Sequence, residues 1–213
     1  MNNRISGISV VLVVLASLAV GGCASMSSEE CELSDWSAIG FEDGANGYTT
    51  ERFSSRRKAC AKHGVTADFR AYQEGRDEGL VQFCQPSRGY NLGVRGGTYS
   101  GVCDVALEEE FLDAYRVGHQ LYSLRSNVNS ANSRIASRER ELDRIENEIR
   151  SKEALLIATE TTTEDRILLL ADLKRLSERT GELESEIDQL VADRARHEYE
   201  LADYENTVAA YGF

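Results

Sequence analysis

Apolar positions in this chain follow three patterns. The first is a continuous run over residues 8–19, preceded by one basic residue, Arg4. It is shorter than the roughly 20 apolar residues of a membrane-spanning helix, and it has the length of a signal-peptide core. The last pattern is a seven-residue repeat. Leu121, Val128, Ile135, Leu142, Ile149 and Leu156 form one series, and Leu169, Leu176, Leu183 and Leu190, continued by His197 and Tyr204, form another. Two such series predict an antiparallel coiled-coil hairpin over residues 105–213, folded at the β-branched, polar break 158–165. Thr162 or Thr163 is the predicted N-cap of the second helix, with acidic residues in the turn that follows. Folding there brings Ile149 toward Leu176, Leu142 toward Leu183 and Ile135 toward Leu190, in arms of roughly 55–65 Å.

The second core position of each heptad is mixed. Ile145, Leu173, Ile187 and Leu201 are apolar, whereas Arg138, Lys152, Thr180 and Arg194 occupy equivalent places. A polar run over residues 126–133 falls opposite Arg194 and His197, which predicts a weak neck at that level. Seams this thin are often completed by a protein partner or by self-association.

Between these patterns the chain is rich in glycine. Eleven of its 17 glycines lie between residues 24 and 103, and only three lie beyond. A faint repeat runs through this part. The segment from Trp36 to Gly44 resembles the segment from Ala71 to Gly79, and Ala114-Tyr115-Arg116-Val117-Gly118 echoes the second. Gly40, Gly44, Gly75, Gly79 and Gly118 would leave bare stripes on helices. Each costs about 1 kcal/mol relative to Ala, and close helix–helix approach is the usual compensation. A ligand groove floored by these glycines and edged by Glu42, Asp43, Asp77 and Glu78 is the alternative reading. Trp36, Phe41, Tyr72 and Tyr115 supply aromatic core. Residues 85–102 hold five glycines and the chain's one proline, which predicts a Gly-rich loop or short hairpin. No Gly-Lys-Ser/Thr follows those glycines, so they do not form a phosphate loop.

The fold class expected is therefore mainly α: a small disulfide-stapled helical domain with that loop, then the long hairpin. The predicted boundaries are 1–22 for a lipoprotein signal peptide, 23–104 for the cysteine- and glycine-rich domain and 105–213 for the hairpin, with continuous helix across the second junction.

Cysteine usage adds a compartment. Val20-Gly21-Gly22-Cys23 ends the first apolar run, and small residues before a cysteine suit lipoprotein processing, with Cys23 as the acylated residue. Acyl chains such as palmitate contribute about 0.8 kcal/mol per buried CH₂, so two or three chains make a lasting anchor. Ala24 rather than Asp follows, which by enterobacterial sorting rules points to the periplasmic face of the outer membrane. Cys31, Cys60, Cys84 and Cys103 remain, an even number suited to two disulfides in an oxidising compartment. Three pairings are possible. Cys84–Cys103 is the most economical local bridge and leaves Cys31–Cys60 by elimination. A Cys60/His63 metal site is the rival, and with no second histidine near in sequence no metal or cofactor is expected.

Charge removes other classes. Residues 104–213 carry 25 acidic against 14 basic side chains, most of the chain's net −12. That argues against nucleic acid and against lying flat on anionic lipid. The cluster Arg56-Arg57-Lys58 with Lys62 is read as a solvated helix face. The chain has three histidines, His63, His119 and His197, and neither His-Glu-x-x-His nor Gly-x-Ser-x-Gly, so no catalytic residues are assigned. A Glu42/Glu74 carboxylate pair is the nearest thing to a wall-acting hydrolase. A binder of peptidoglycan or a small ligand would use the Gly-rich loop with Tyr90 and Tyr99.

Cys60-Ala61-Lys62-His63-Gly64-Val65, Ala71-Tyr72, Glu74-Gly75-Arg76, Glu78-Gly79-Leu80, Phe83-Cys84, Gly89-Tyr90 and Gly96-Gly97 occur in order, after Asp35-Trp36, Gly40 and Gly44. Over residues 23–104 the chain thereby resembles the proteobacterial lipoprotein family DUF2799, a domain of unknown function. The resemblance implies lipidation and a fold, and no chemistry.

Overall fold

Side-chain caps start most of the helices. In the computed structural model, which describes residues 26–210, Ser27 opens α1 (Ser28–Glu32) in a reciprocal capping box with Glu30, and the Asp35 carboxylate accepts from the Ser37 and Ala38 amides at the start of α2 (Trp36–Ala45). Two helices follow, α3 (Glu51–Ala61) and α4 (Phe69–Phe83). Pro86 sits in the first turn of α5 (Pro86–Val94), where its missing N–H is no loss. Asp104 caps α6 (Val105–Ile157) by accepting from Ala106 N, and α7 (Thr163–Ala210) is the last helix among the described residues. After α2 and α5 the backbone turns left-handed at Gly47 (φ 70°) and Gly96 (φ 68°), a conformation that ends helices cheaply only at glycine. The predicted signal peptide and Cys23 lie outside the described residues.

The protein is mainly α, with two disulfides and a long helical C-terminal part. Among the described residues there is no strand. The short hairpin expected over 85–102 does not form: its first half is α5 and only residues 95–104 are loop. That loop also breaks the helix expected to run through the junction near Asp104. The chain divides into two compact units between Gln82 and Phe83, whereas its composition changes near Asp104. Cys84–Cys103 closes inside the second unit and Cys31–Cys60 inside the first.

In the first unit, Cys31, Trp36, Phe53, Cys60, Ala67 and Tyr72 make the buried cluster. The Phe53 ring meets Trp36 edge-on at 5.8 Å and Tyr72 at 4.8 Å. The disulfide joins the cluster directly, as a core this small requires. In the second unit, Phe111 is fully buried against Phe83 and Tyr99, at 5.2 and 4.9 Å between ring centres. Farther along, α6 pairs with α7, and the Tyr122 ring also lies against Gly96 of the loop.

Candidate functional site

The glycines meet backbone. A Cβ on Gly40 would lie 2.0 Å from the Tyr72 carbonyl oxygen, and one on Gly44 would lie 2.1 Å from that of Arg76. The relation is reciprocal: Gly75 faces the Ser37 carbonyl at 2.0 Å and Gly79 that of Phe41 at 2.2 Å. Helices α2 and α4 are therefore in backbone contact, and the stripe that the alternative reading makes a groove floor is filled. Helices α5 and α6 repeat the arrangement. Gly89 faces the Phe111 carbonyl, Gly93 that of Tyr115 and Gly118 that of Tyr90, at 2.3, 2.3 and 2.2 Å. Buried Ala114 stands where the first unit has Gly75. In each unit one bridge cysteine precedes each member of the glycine pair: Cys31 before α2 and Cys60 before α4, Cys84 before α5 and Cys103 before α6.

The tightest polar cluster lies beside the first pair. Asp43 is 2% exposed, and its carboxylate accepts from Arg56 Nη1 and Nη2 at 2.5 and 3.1 Å and from the Tyr72 hydroxyl at 2.9 Å. Arg76 donates twice to the Tyr48 carbonyl, and the Arg52 guanidinium stacks 3.6 Å over the Tyr48 ring. Burial, and then the bond to Asp43, push the Tyr72 phenol up to about 12. The Asp43 carboxylate, the Tyr72 hydroxyl and the Tyr48 carbonyl are all engaged within the cluster, which ties α2, α3 and α4 together.

That geometry coincides with a recognisable segment. Residues 35–120 match the family model described as "Protein of unknown function (DUF2799)". The matched segment begins at the cap of α2, includes both glycine pairs and ends two residues past Gly118. It stops one residue before Leu121, where the heptads begin. No curated protein and no solved structure matches the chain.

Other residues singled out in the sequence do not converge. Glu42, Asp77 and Glu78 are exposed, and Glu74 is paired with Arg70 at 3.0 Å rather than with Glu42. Cys60 is in a disulfide, which takes it from any metal site with His63, whose Nε2 lies 3.2 Å from the Met26 carbonyl. His119 stacks beside Tyr115 and Tyr122, and His197 lies 3.4 Å from Glu200. Among the described residues no group of three or more His, Cys, Asp or Glu is placed to hold a metal ion. The Tyr99 hydroxyl donates to Glu108 and accepts from Cys103 N, both at 2.9 Å. Burial, and then the bond to Glu108, raise its pKa despite the opposing effect of the Cys103 amide.

The arm is the remaining candidate. α6 has 53 residues and α7 has 48, lengths of about 80 and 70 Å. Of the heptad residues, Leu121, Ile135, Leu183 and Leu190 are buried, and Val128, Leu142, Ile149, Leu156, Leu169 and Leu176 are half-buried. Two of the charged second positions, Arg138 and Lys152, are bridged across the pair, and Arg179 adds a third bridge. Arg138 reaches Glu186 at 2.9 Å, Lys152 reaches Asp172 at 2.8 Å, and Arg179 reaches Glu141 at 3.0 Å. Hydrogen bonds from Arg179 and then Arg138 hold the Glu141 carboxyl below its usual range. At the polar level Ala131 is buried opposite Arg194, whose Nε is enclosed without a hydrogen bond, Glu198 lying 3.6 Å away.

At the turn, Thr162 accepts from Asp165 N through its hydroxyl. Arg166 folds back onto the carbonyls of Leu156, Ala158 and Thr161, satisfying oxygens that the end of α6 leaves open. Residues that heptad reasoning missed surround this turn: Leu155, Ile157, Ile167, Leu168 and Leu170 are all more than half exposed. Their signal was in the sequence as two consecutive apolar runs, 154–158 and 167–171, where a coiled-coil seam needs one or two residues per turn.

Proposed function

We propose that this chain is a lipid-anchored lipoprotein of the bacterial envelope, acylated at Cys23 on the periplasmic face of the outer membrane, that acts by docking a protein partner on its hairpin rather than by catalysis. The observation that carries this reading is the arm itself. About half of the chain is spent on two paired helices whose seam is complete along most of its length, with cross-helix ion pairs bridging two of the charged core positions. The apolar run before Cys23 supports the anchor, and two disulfides suit an oxidising compartment. The alternative, a peptidoglycan or ligand binder using Tyr90 and Tyr99, is weakened because the Tyr99 hydroxyl is already committed to Glu108 and Cys103. A wall-hydrolase activator would be a special case of the docking role.

Photo-crosslinking in cells from Glu148 and Arg179, on the shaft of the arm, tests the reading. Protein adducts that depend on an intact Cys23 are expected. Full membrane retention of a Cys23→Ser variant would overturn the anchor, and efficient pull-down of the purified protein by peptidoglycan, with no protein adduct, would overturn the docking role.

A further inference from the structure

The five exposed aliphatic residues at the turn of the hairpin are unlike the rest of the arm. Leu155 is 53% exposed, Ile157 81%, Ile167 63%, Leu168 67% and Leu170 55%. Elsewhere on the paired part of α6 and α7 the exposed large hydrophobics stand singly, at Tyr122 (42%), Val191 (39%) and Tyr199 (74%). The helical wheel explains the pattern. Leu156 and Leu169 hold the last core positions, and the exposed residues include the immediate neighbours of both. The apolar stripe therefore broadens from a seam to a cap that wraps both helices. Concentrated exposure of this kind marks an interaction site more often than chance.

Charge selects the occupant. Residues 153–170 contain Glu153, Glu160, Glu164 and Asp165 against a single cation, Arg166. Arg166 is turned inward onto three backbone carbonyls. Along the shaft, by contrast, carboxylates such as Glu141, Asp172 and Glu186 sit in ion pairs. Among the described residues Glu153, Glu160 and Glu164 have no such partner. A second copy of this chain would bring like charge against like, with no free cation at the tip to relieve it. An anionic bilayer meets the same repulsion. From the apolar cap and its unpaired carboxylates together we infer that the tip docks into an apolar recess rimmed by Lys or Arg on a protein partner. This inference rests on the arm being a docking element and specifies where it docks and with what chemistry. Apolar contact supplies the affinity of such an interface, and the charged rim its orientation and selectivity.

The test uses the full-length anchored protein in cells, with a photo-crosslinking amino acid placed singly at Ile157, Leu168 or Glu148. Protein adducts are expected from Ile157 and Leu168, with the partner's crosslinked peptide lying among Lys or Arg residues. The same adduct should fall by at least about tenfold in Ile167→Glu, and comparably in the combined Glu153→Lys, Glu160→Lys and Glu164→Lys variant. Both changes are on exposed positions, and circular dichroism of the purified variants checks that the helices are retained. An adduct undiminished by the triple lysine change overturns the basic rim. An adduct of twice the chain's own mass, or one to lipid, overturns the protein partner. Adducts from Glu148 alone overturn the tip while leaving the arm reading in place, and silence at all three positions overturns both.

Discussion

The glycine-packed helix pairs and the heptad arm solve the same problem, holding two helices together, at opposite limits of distance. In the pairs, carbonyl oxygens lie about 2 Å from where a Cβ would stand on Gly40, Gly44, Gly75 and Gly79. Backbone there meets backbone, short helices gain many contacts per residue, and a disulfide closes each unit. In the arm, leucine and isoleucine side chains keep the backbones apart, and Gly181 has nothing within 4 Å of its would-be Cβ. The first arrangement tolerates no added atom and the second tolerates many changes outside its seam. The DUF2799 match ends at residue 120, where one mode gives way to the other.

The largest test is to remove core atoms from the arm. Leu183 is fully buried, and Leu183→Ala should destabilise the second unit by about 3 kcal/mol, read by urea melts of the helical signal. A loss under 1 kcal/mol would mean that the seam is looser than its burial indicates. Nearly as large, Gly75→Ala should cost about 2–3 kcal/mol in the first unit, because the new Cβ meets the Ser37 carbonyl and one helix must shift. The same substitution in the arm sharpens the contrast. Gly181→Ala should raise stability by roughly 0.5–1 kcal/mol, since it gains helix propensity and meets nothing. Equal signs at the two positions would break the comparison.

Alkaline pH separates the regions in another way. The Tyr72 phenol is held near 12 against an ordinary 10.0 by burial and Asp43, so the fold favours its protonated form. Its contribution is full below pH 10 and is lost as pH rises through about 12, a loss that falls on the first unit. A phenolate absorbance titration should show a late step that Tyr72→Phe removes. The smallest expected effect is in the arm's ion pairs: Asp172→Asn breaks the contact with Lys152 and should cost less than about 1 kcal/mol.

The arm was readable because a seven-residue repeat states both element and partner. The predicted register, Ile135 toward Leu190 and Ile149 toward Leu176, places Arg138 near Glu186 and Lys152 near Asp172, and those pairs are made. Pro86, Gly89 and Gly93 misled because proline and glycine are poor helix formers, and local propensity gives them to a loop. What offsets that propensity is contact with α6, in which Gly89 and Gly93 lie against the carbonyls of Phe111 and Tyr115. Their four-residue spacing matched that of Gly40 and Gly44, and it was the one signal that could have revealed the fourth helix of the repeat. The same logic hid the tip: Leu155, Ile157, Ile167, Leu168 and Leu170 read as helix formers beside a heptad, and nothing local says whether a neighbour covers them.

By itself, then, the sequence determined what depends on period and residue type: the helical class, the hairpin and its register, and the even cysteine count. Tertiary structure decided what depends on which surfaces meet. It made a helix of Pro86–Val94, paired Cys31 with Cys60 and Cys84 with Cys103, closed Asp43 into a satisfied network and left the hairpin tip bare. The reason is physical. Propensity and periodicity are set within a few turns of chain, whereas burial and backbone contact are set by residues that are distant in sequence.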